Sequence, residues 1–121
     1  MDTMTPDMAT VDTEAAEQAA EQVAAGAIEL DDRHAGWWEK IDKSRLNQAD
    51  VYDCVLGQLY RFYWHGRDVL RWCADDAENY GVYVPGEEES SEVIDAYRLR
   101  THLWIAEIDK REAAAANADQ A

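Results

Sequence analysis

Residues 49–64 read ADVYDCVLGQLYRFYW, and their pattern predicts one continuous helix from Ala49 to Trp64. At about 100° per residue, the apolar side chains of such a helix cover more than half of its circumference. These side chains are Val51, Tyr52, Val55, Leu56, Leu59, Tyr60, Phe62 and Tyr63. A helix that is apolar around most of its surface is covered by neighbours on several sides. We therefore expect this segment to be the central helix of the fold.

Several residues of the predicted central helix suit packing and capping. Cys54 is a small side chain that usually behaves as a hydrophobic residue, and Gly57 allows another helix to approach closely. Gln58 lies at the edge of the apolar arc, where its amide needs hydrogen-bond partners from a neighbouring loop or helix. Asn47 is placed to cap the helix, and Asp50 lies in its first turn, where the helix dipole favours an acid.

The length of 121 residues fits one domain, which can bury a core without disulfides or metal. Hydrophobic residues make up 47% of the chain although its net charge is −15, so a folded centre with solvated ends fits both facts. We predict an all-α fold, a compact bundle of about four helices around the central helix. The helical domain covers residues 12–110. A loose acidic tail, residues 1–11, precedes it, and an Ala-rich tail that frays, residues 111–121, follows it.

Three further helices are predicted around the central one. The first runs over residues 12–32 and carries a narrow apolar stripe that includes Val23 and Leu30. The next begins after a stop at His65-Gly66 and runs from Val69 to Tyr80, with acids near its end where the dipole disfavours them. The last covers residues 92–114, is capped by Ser90 or Ser91, and has a clean apolar stripe: Val93, Tyr97, Thr101, Trp104 and Ile108, widened by Ile94 and Ile105.

The residues that usually hold metals or perform catalysis form no recognisable pattern here. Cys54 and Cys73 both fall on apolar helical faces, and the chain has no CxxC or HxxxH spacing. It also lacks a GxSxG motif, a Walker loop and a Gly-rich dinucleotide turn. We therefore predict a protein that is not an enzyme and has no cofactor. A deep polar pocket lined by Asp53, Gln58 and His65 would favour an enzyme of unrecognised type instead.

The charge of the chain restricts its partners. A net charge of −15 disfavours direct contact with nucleic acid and with anionic membranes, because both require a basic surface. No apolar run approaches the roughly 20 residues that span a bilayer, and the N-terminus lacks the pattern of a signal peptide. We expect a cytoplasmic protein. Acidity alone can serve solubility, but it also suits a basic protein surface, including one that normally holds DNA.

Three sets of residues are candidates for interaction. Trp37 and Trp38 are adjacent, so either one seals the core while the other is partly exposed, or both pack from an irregular loop. Leu99 and Leu103 form a second apolar pair on the last helix, which either the first helix or a second copy of the chain covers; we favour the second copy. Acidic side chains form rows that could imitate DNA phosphates, at Glu14, Glu17 and Glu21 and at Glu87, Glu88, Glu89, Glu92 and Asp95.

Three short motifs carry a resemblance. GWW-x-x-ID-x-x-x-L covers residues 36–46, CVLGQLY-x-x-Y covers residues 54–63, and AENYGV covers residues 77–82. In this order they resemble a family of small uncharacterised proteins from actinobacterial phages and prophages, over residues 30–108. The chain departs from that pattern at His34-Ala35, where Pro is usual, and in its Ala-rich acidic extension. The resemblance implies no activity, and the motif residues Cys54, Gly57 and Gln58 are most simply explained by packing.

The sequence therefore leads to two main hypotheses. The first is a non-enzymatic phage accessory protein that binds a host or phage protein in the host cytoplasm, with a basic DNA-binding host protein as one candidate. The second is a minor virion or assembly component that forms a homodimer through the last helix. The exposed tryptophan candidates and the acidity of the chain favour the first.

Overall fold

The computed structural model describes the backbone of residues 4–120 and the side chains of residues 14–118. The described backbone is helical throughout its regular elements and contains no strand, so the predicted all-α class is confirmed. Residues 1–3 and 121 of the two predicted tails lie outside the described residues. The helices are α1 (Met4–Arg33), a 3-10 helix (Trp37–Lys40), α2 (Val55–Tyr60), α3 (Tyr63–Leu70), α4 (Ala74–Asn79) and α5 (Ser91–Gln120).

The two long helices α1 and α5 pack against each other in parallel. Arg100 Nη2 donates to Gln22 Oε1 at 3.0 Å, and further along both helices Arg111 pairs with Asp31. Because the partner numbers rise together, the helices run in the same direction, and residues 34–90 carry the chain back between them. The side chains between the helices are small or apolar, as the predicted stripes require, and include Val23, Ala27, Leu30, Trp104 and Ile108.

Gly26 lies where α1 closely approaches the residue that follows α4. A Cβ atom at this position would overlap the carbonyl oxygen of Tyr80 and would lie 3.1 Å from Trp104 Cζ2. The buried indole of Trp104 donates from Nε1 to the carbonyl oxygen of Gly81 at 2.9 Å. Gly81 adopts a left-handed φ of 72°, which favours glycine because it lacks a Cβ. The end of α4 is thereby held against both long helices.

The predicted single helix from Ala49 to Trp64 is wrong. Residues 49–53 form turns, α2 has only six residues, and α3 starts a new helix at Tyr63. The break lies at Arg61, whose φ is 83°, and at Phe62, which is extended. Of the eight apolar residues of the predicted helix, Val55, Leu56 and Tyr63 are buried, Leu59 and Tyr60 are half-buried, and Val51, Tyr52 and Phe62 are exposed.

Polar side chains explain why the segment before α2 is not helical. Asp50 Oδ1 accepts hydrogen bonds from the backbone N–H groups of Tyr52 at 2.7 Å and Asp53 at 3.1 Å. Asn47 Oδ1 accepts from the N–H of Ala49 at 3.0 Å. Such local bonds hold the backbone in turns and compete with helical hydrogen bonding. Asn47 therefore caps a turn and not a helix.

The predicted helix from Val69 to Tyr80 is also wrong, because the chain breaks at Arg71. Arg71 has a left-handed φ of 61° and ends α3, and α4 begins afresh at Ala74. Gly66 does not stop a helix; it lies inside α3, where a Cβ would come within 2.8 Å of Leu56 Cβ. The acids Asp75 and Asp76 fall in the first turn of α4, where the helix dipole favours them. The prediction that these acids lie near the end of a helix is therefore wrong.

Both cysteines begin helices, whereas the sequence placed them on apolar helical faces. Cys54 is the N-cap of α2, and its Sγ accepts from the N–H of Gly57 at 3.2 Å. Cys73 is the N-cap of α4, where Asp76 Oδ2 accepts from its N–H at 3.2 Å and from its Sγ at 3.3 Å. Cys54 is buried, Cys73 is exposed and both are free thiols. Burial raises the pKa of Cys54 to about 11.

The last helix follows its prediction closely at its start. Ser90 Oγ accepts from the N–H of Val93 at 3.2 Å, which is the expected cap. The helix continues to Gln120, through the stretch predicted to fray. Most of the predicted stripe is buried or half-buried, but Ile94 is exposed. In the described part of the chain, no helix has both the length and the apolar character needed to cross a bilayer.

Candidate functional site

The adjacent tryptophans of the 3-10 helix face different surroundings. Trp37 is fully buried, and its Nε1 donates to Asp31 Oδ1 at 3.0 Å. Its ring meets the ring of Trp104 edge-on, with centroids 5.5 Å apart. Trp38 is half-buried and packs against the core. Trp37 therefore belongs to the core, and only part of Trp38 is available to a partner.

The apolar pair Leu99 and Leu103 is partly covered within the chain. Leu103 packs against the core cluster, and Leu99 is half-buried. Helix α1 packs against α5, the helix that carries both leucines. Association of two copies through Leu99 stays a prediction.

The acidic rows occupy different kinds of backbone. Glu14, Glu17 and Glu21 are exposed on α1, and Glu92 is exposed in the first turn of α5. Glu87, Glu88 and Glu89 are exposed in the loop between α4 and α5, which ends in a turn. Among these acids, Glu88 lines the cavity that is described below.

The motif residues Gly57 and Gln58 connect α2 to neighbouring loops. Gln58 Oε1 accepts from the N–H of Asp42 at 2.7 Å, and its Nε2 donates to the carbonyl oxygens of Asp42 at 3.2 Å and Asp53 at 3.1 Å. The expectation that its amide binds loop backbone is therefore confirmed. A Cβ at Gly57 would lie 2.5 Å from the carbonyl oxygen of Val51. The expected close neighbour is thus a turn and not another helix.

A cavity of about 240 Å³ opens beside the turn that precedes α2. Its walls come from four parts of the chain: this turn, the start of α3, the loop between α4 and α5, and the first turns of α5. The residues that line it are Gln48, Ala49, Asp50, Val51, Cys54, Tyr63, Trp64, Val82, Tyr83, Glu88, Ile94 and Tyr97. We call it the Gln48–Tyr63 cavity. Each of these two buried residues has a side-chain polar atom without a hydrogen-bond partner among the described residues.

Gln48 is the buried polar residue of this cavity and is only 4% exposed. Its Oε1 accepts from the N–H of Val55 at 2.8 Å, and its backbone N–H donates to Thr101 Oγ1 at 2.9 Å. Through its side chain and its backbone, these two bonds hold Gln48 between α2 and α5. Its Nε2 has no hydrogen-bond partner among the described residues. A buried amide donor without a partner costs free energy, about 1–3 kcal/mol, which a ligand acceptor would recover.

Tyr63 supplies the second polar group. It is 7% exposed, and its hydroxyl also has no hydrogen-bond partner among the described residues. Burial raises the pKa of Tyr63 to about 12, although the guanidinium of Arg67 opposes this shift. Arg67 lies over the same ring, with its Cζ 5.6 Å from the ring centroid. The hydroxyl is therefore neutral at physiological pH and able to donate a hydrogen bond.

The rim of the cavity is apolar and open to solvent. Trp64 is 59% exposed, Val51 is 43% exposed and Ile94 is 39% exposed. We call these three residues the rim surface. Arg67 lies over the indole of Trp64 at 5.0 Å and limits its freedom. Asp50 and Glu88 add acidic side chains to the same wall. A single site thus combines apolar contact area, negative charge and buried polar groups.

Sequence reasoning did not identify this site. It placed Val51 and Ile94 on apolar helical faces, left Trp64 out of the apolar side chains of the central helix, and gave Gln48 no role. The signal in the sequence is the pair of turn-forming residues, Asn47 and Asp50, which flank Gln48 and hold it outside any helix.

The groups that would indicate metal binding or catalysis do not come together in the described residues. Among them no cluster of three or more His, Cys, Asp or Glu side chains could hold a metal ion. Asp53 pairs with Arg45 at 2.7 Å, and neither Gln58 nor His65 lines the Gln48–Tyr63 cavity. The polar pocket that would favour an enzyme is therefore not formed by these three residues.

No protein-family model, curated protein or solved structure matches this chain. The resemblance to actinobacterial phage proteins therefore stays a prediction from the motifs.

Proposed function

We propose that this protein is a non-enzymatic binding protein that holds another protein at the rim surface of the Gln48–Tyr63 cavity. The observation that carries the proposal is the exposure of Trp64, Val51 and Ile94 around a cavity with unpartnered buried polar groups. Binding energy at protein interfaces concentrates in aromatic anchors that are surrounded by other contacts. Trp64 is the anchor in this proposal.

The partner is basic. Asp50 and Glu88 lie in the cavity wall, Glu87 and Glu89 extend the acidic stretch, and the whole chain carries a net charge of −15. Complementary charge steers a basic partner towards such a surface and repels acidic proteins. The same charge disfavours direct binding of nucleic acid or an anionic membrane.

The resemblance of the three motifs to phage proteins suggests the setting in which the protein acts. We propose that the protein is a phage accessory protein, that it acts in the host cytoplasm, and that its partner is a host or phage protein. A host protein with a DNA-binding surface is one basic partner of this kind.

The binding site is tested with peptides, because the partner need not be known. A random-peptide display library is selected on the immobilised protein, and enriched peptides are measured by fluorescence anisotropy against wild type and Trp64→Ala. We expect peptides with net positive charge, and we expect Trp64→Ala to weaken their binding by about tenfold or more. Val69→Ala is the matched control, because Val69 is an exposed apolar residue of α3 that does not line the cavity.

Two outcomes would contradict the proposal. One is a selection that enriches no peptide above background at low ionic strength. The other is a set of peptides that bind Trp64→Ala as tightly as wild type, which would place their contact on another face of the protein.

A further inference from the structure

We infer that the Gln48–Tyr63 cavity receives an uncharged carbonyl group on a short apolar arm, such as a glutamine side chain or an acylated lysine of the bound protein. This inference rests on the proposed function and names the group that enters the cavity while the partner covers the rim surface.

The volume of the cavity limits the size of its occupant. Pockets for drug-sized molecules have volumes of about 300–1,000 Å³, and this cavity holds about 240 Å³. One side chain therefore fits, whereas a nucleotide or a larger cofactor does not. The walls include Val82, Tyr97 and Ile94, so the arm that enters is apolar along its length.

The buried polar atoms require an acceptor. Gln48 Nε2 can only donate, and it has no partner among the described residues. The hydroxyl of Tyr63 likewise has no hydrogen-bond partner among the described residues, and it has a proton to donate. A carbonyl oxygen has two lone pairs and no proton, so it can accept from either donor and has the capacity for two hydrogen bonds. An aliphatic side chain of the same size would leave both donors unpaired, which costs free energy.

The charges around the cavity decide between neutral and charged acceptors. Asp50 and Glu88 line the wall and repel a carboxylate, and the net charge of the chain adds to this repulsion. A cationic group cannot accept from Gln48 Nε2, and the guanidinium of Arg67, which lies over the ring of Tyr63, repels it. An amide carbonyl satisfies the donors and carries no charge to be desolvated.

The inference is tested with three small probes that share a butyl arm: N-butylacetamide, pentanoate and butylammonium. Each is titrated into ¹⁵N-labelled protein at millimolar concentration, and the side-chain amide signal of Gln48 is followed by NMR. The Gln48→Glu variant identifies this signal by its absence. We expect N-butylacetamide to shift the Gln48 signal in a saturable way, and we expect the two charged probes to bind at least about tenfold more weakly.

Variants then separate hydrogen bonding from shape. Tyr63→Phe removes only the hydroxyl, and Gln48→Glu keeps an acceptor for the N–H of Val55 while it removes the donor. We expect each variant to weaken binding of N-butylacetamide about three- to tenfold. Tyr52→Phe is the control, because this exposed tyrosine does not line the cavity.

Three results would overturn the inference: no shift of the Gln48 signal at saturating N-butylacetamide, equal affinity for pentanoate, or unchanged binding to Tyr63→Phe. These results are distinguishable from a failure of the proposed function. If selected peptides still depend on Trp64 while the amide probe does not bind, the rim surface binds protein and only the identity of the entering group is wrong.

Discussion

Arg111 on α5 forms a bidentate ion pair with Asp31 on α1, with Nε–Oδ1 and Nη2–Oδ2 distances of 2.9 Å and 2.7 Å. Asp31 Oδ1 also accepts the hydrogen bond of the buried Trp37 indole, and the Arg111 guanidinium lies 5.6 Å from the Trp37 ring centroid. One carboxylate thereby joins both long helices to the 3-10 helix. Bidentate arginine pairs have a defined geometry, so this contact fixes the register of the helices.

The first prediction concerns the charge of Asp31. Asp31→Asn keeps an acceptor for Trp37 but removes the ion pair, so we expect the free energy of unfolding to fall by about 1 kcal/mol, because the pair is partly exposed. Urea denaturation at neutral pH measures this change. Asp32→Asn is the control, because Asp32 is an exposed neighbour. Equal stability of the two variants would mean that the pair contributes nothing.

The same carboxylate predicts a dependence on pH. The hydrogen bonds from Arg111 hold the pKa of Asp31 below its ordinary value of 3.8, although burial opposes this effect. A lowered pKa in the folded state stabilises the protein above pH 3.8, and this contribution is lost as the pH falls through the lower folded pKa. We expect the stability difference between wild type and Asp31→Asn to shrink below pH 3.8. A constant difference down to pH 2 would contradict this assignment.

Gly26 provides a test of the core. Alanine normally stabilises a helix relative to glycine, but a Cβ at Gly26 overlaps the carbonyl oxygen of Tyr80. We expect Gly26→Ala to lower the free energy of unfolding by about 2–3 kcal/mol. The adjacent Ala25→Gly is expected to cost only about 1 kcal/mol from helix propensity. Thermal melts give the order of the two variants, and a more stable Gly26→Ala would show that the backbones are not in close contact.

Tyr63 predicts an effect at alkaline pH. Burial raises its pKa to about 12, so the folded state keeps the phenolic proton that the unfolded state loses near pH 10. The stabilisation is complete below pH 10 and is lost as the pH rises towards 12. We expect Tyr63→Phe to be at least as stable as wild type at pH 7 and to lose less stability between pH 10 and 12. A Tyr52→Phe variant with the same alkaline profile as Tyr63→Phe would contradict this account.

Gln58 predicts a cost for an apolar substitution. Its amide binds the N–H and the carbonyl oxygen of Asp42, so Gln58→Leu leaves both without this partner. Water reaches this loop, so we expect a loss of about 1 kcal/mol, at the lower end of the range for unpaired groups. Gln58→Glu keeps the acceptor for the N–H of Asp42 and separates the two bonds. An unchanged midpoint of urea denaturation for Gln58→Leu would show that the loop does not depend on the amide.

The periodicity of the sequence predicts the long helices well, because their apolar stripes are continuous. Val23 and Leu30 on α1 and Trp104 and Ile108 on α5 are buried as the pattern requires. Ser90 is recognisable as a cap because an amphipathic run follows it directly. Long stripes average over many residues, so single turn-forming side chains do not change the result.

The short helices between them could not be predicted in the same way. The apolar run from Val51 to Tyr63 fits one helix, but the turns around Asp50 and the left-handed φ of Arg61 divide it. Neither signal is strong in the sequence, since Arg is an ordinary helix residue and tertiary packing overrides propensity. The candidate site was missed for the same reason. Trp64 lies in the first turn of α3, after the break, and is exposed.

The parallel arrangement of α1 and α5 determines when the chain can fold during synthesis. The contacts between these helices join residues that lie 78 and 80 positions apart, as between Gln22 and Arg100 and between Asp31 and Arg111. The ribosome makes α1 before α5, so the apolar stripe of α1 stays uncovered while residues 34–90 are translated. Closing such a distant contact is slow compared with local helix formation. The native core therefore assembles only after α5 has left the ribosome.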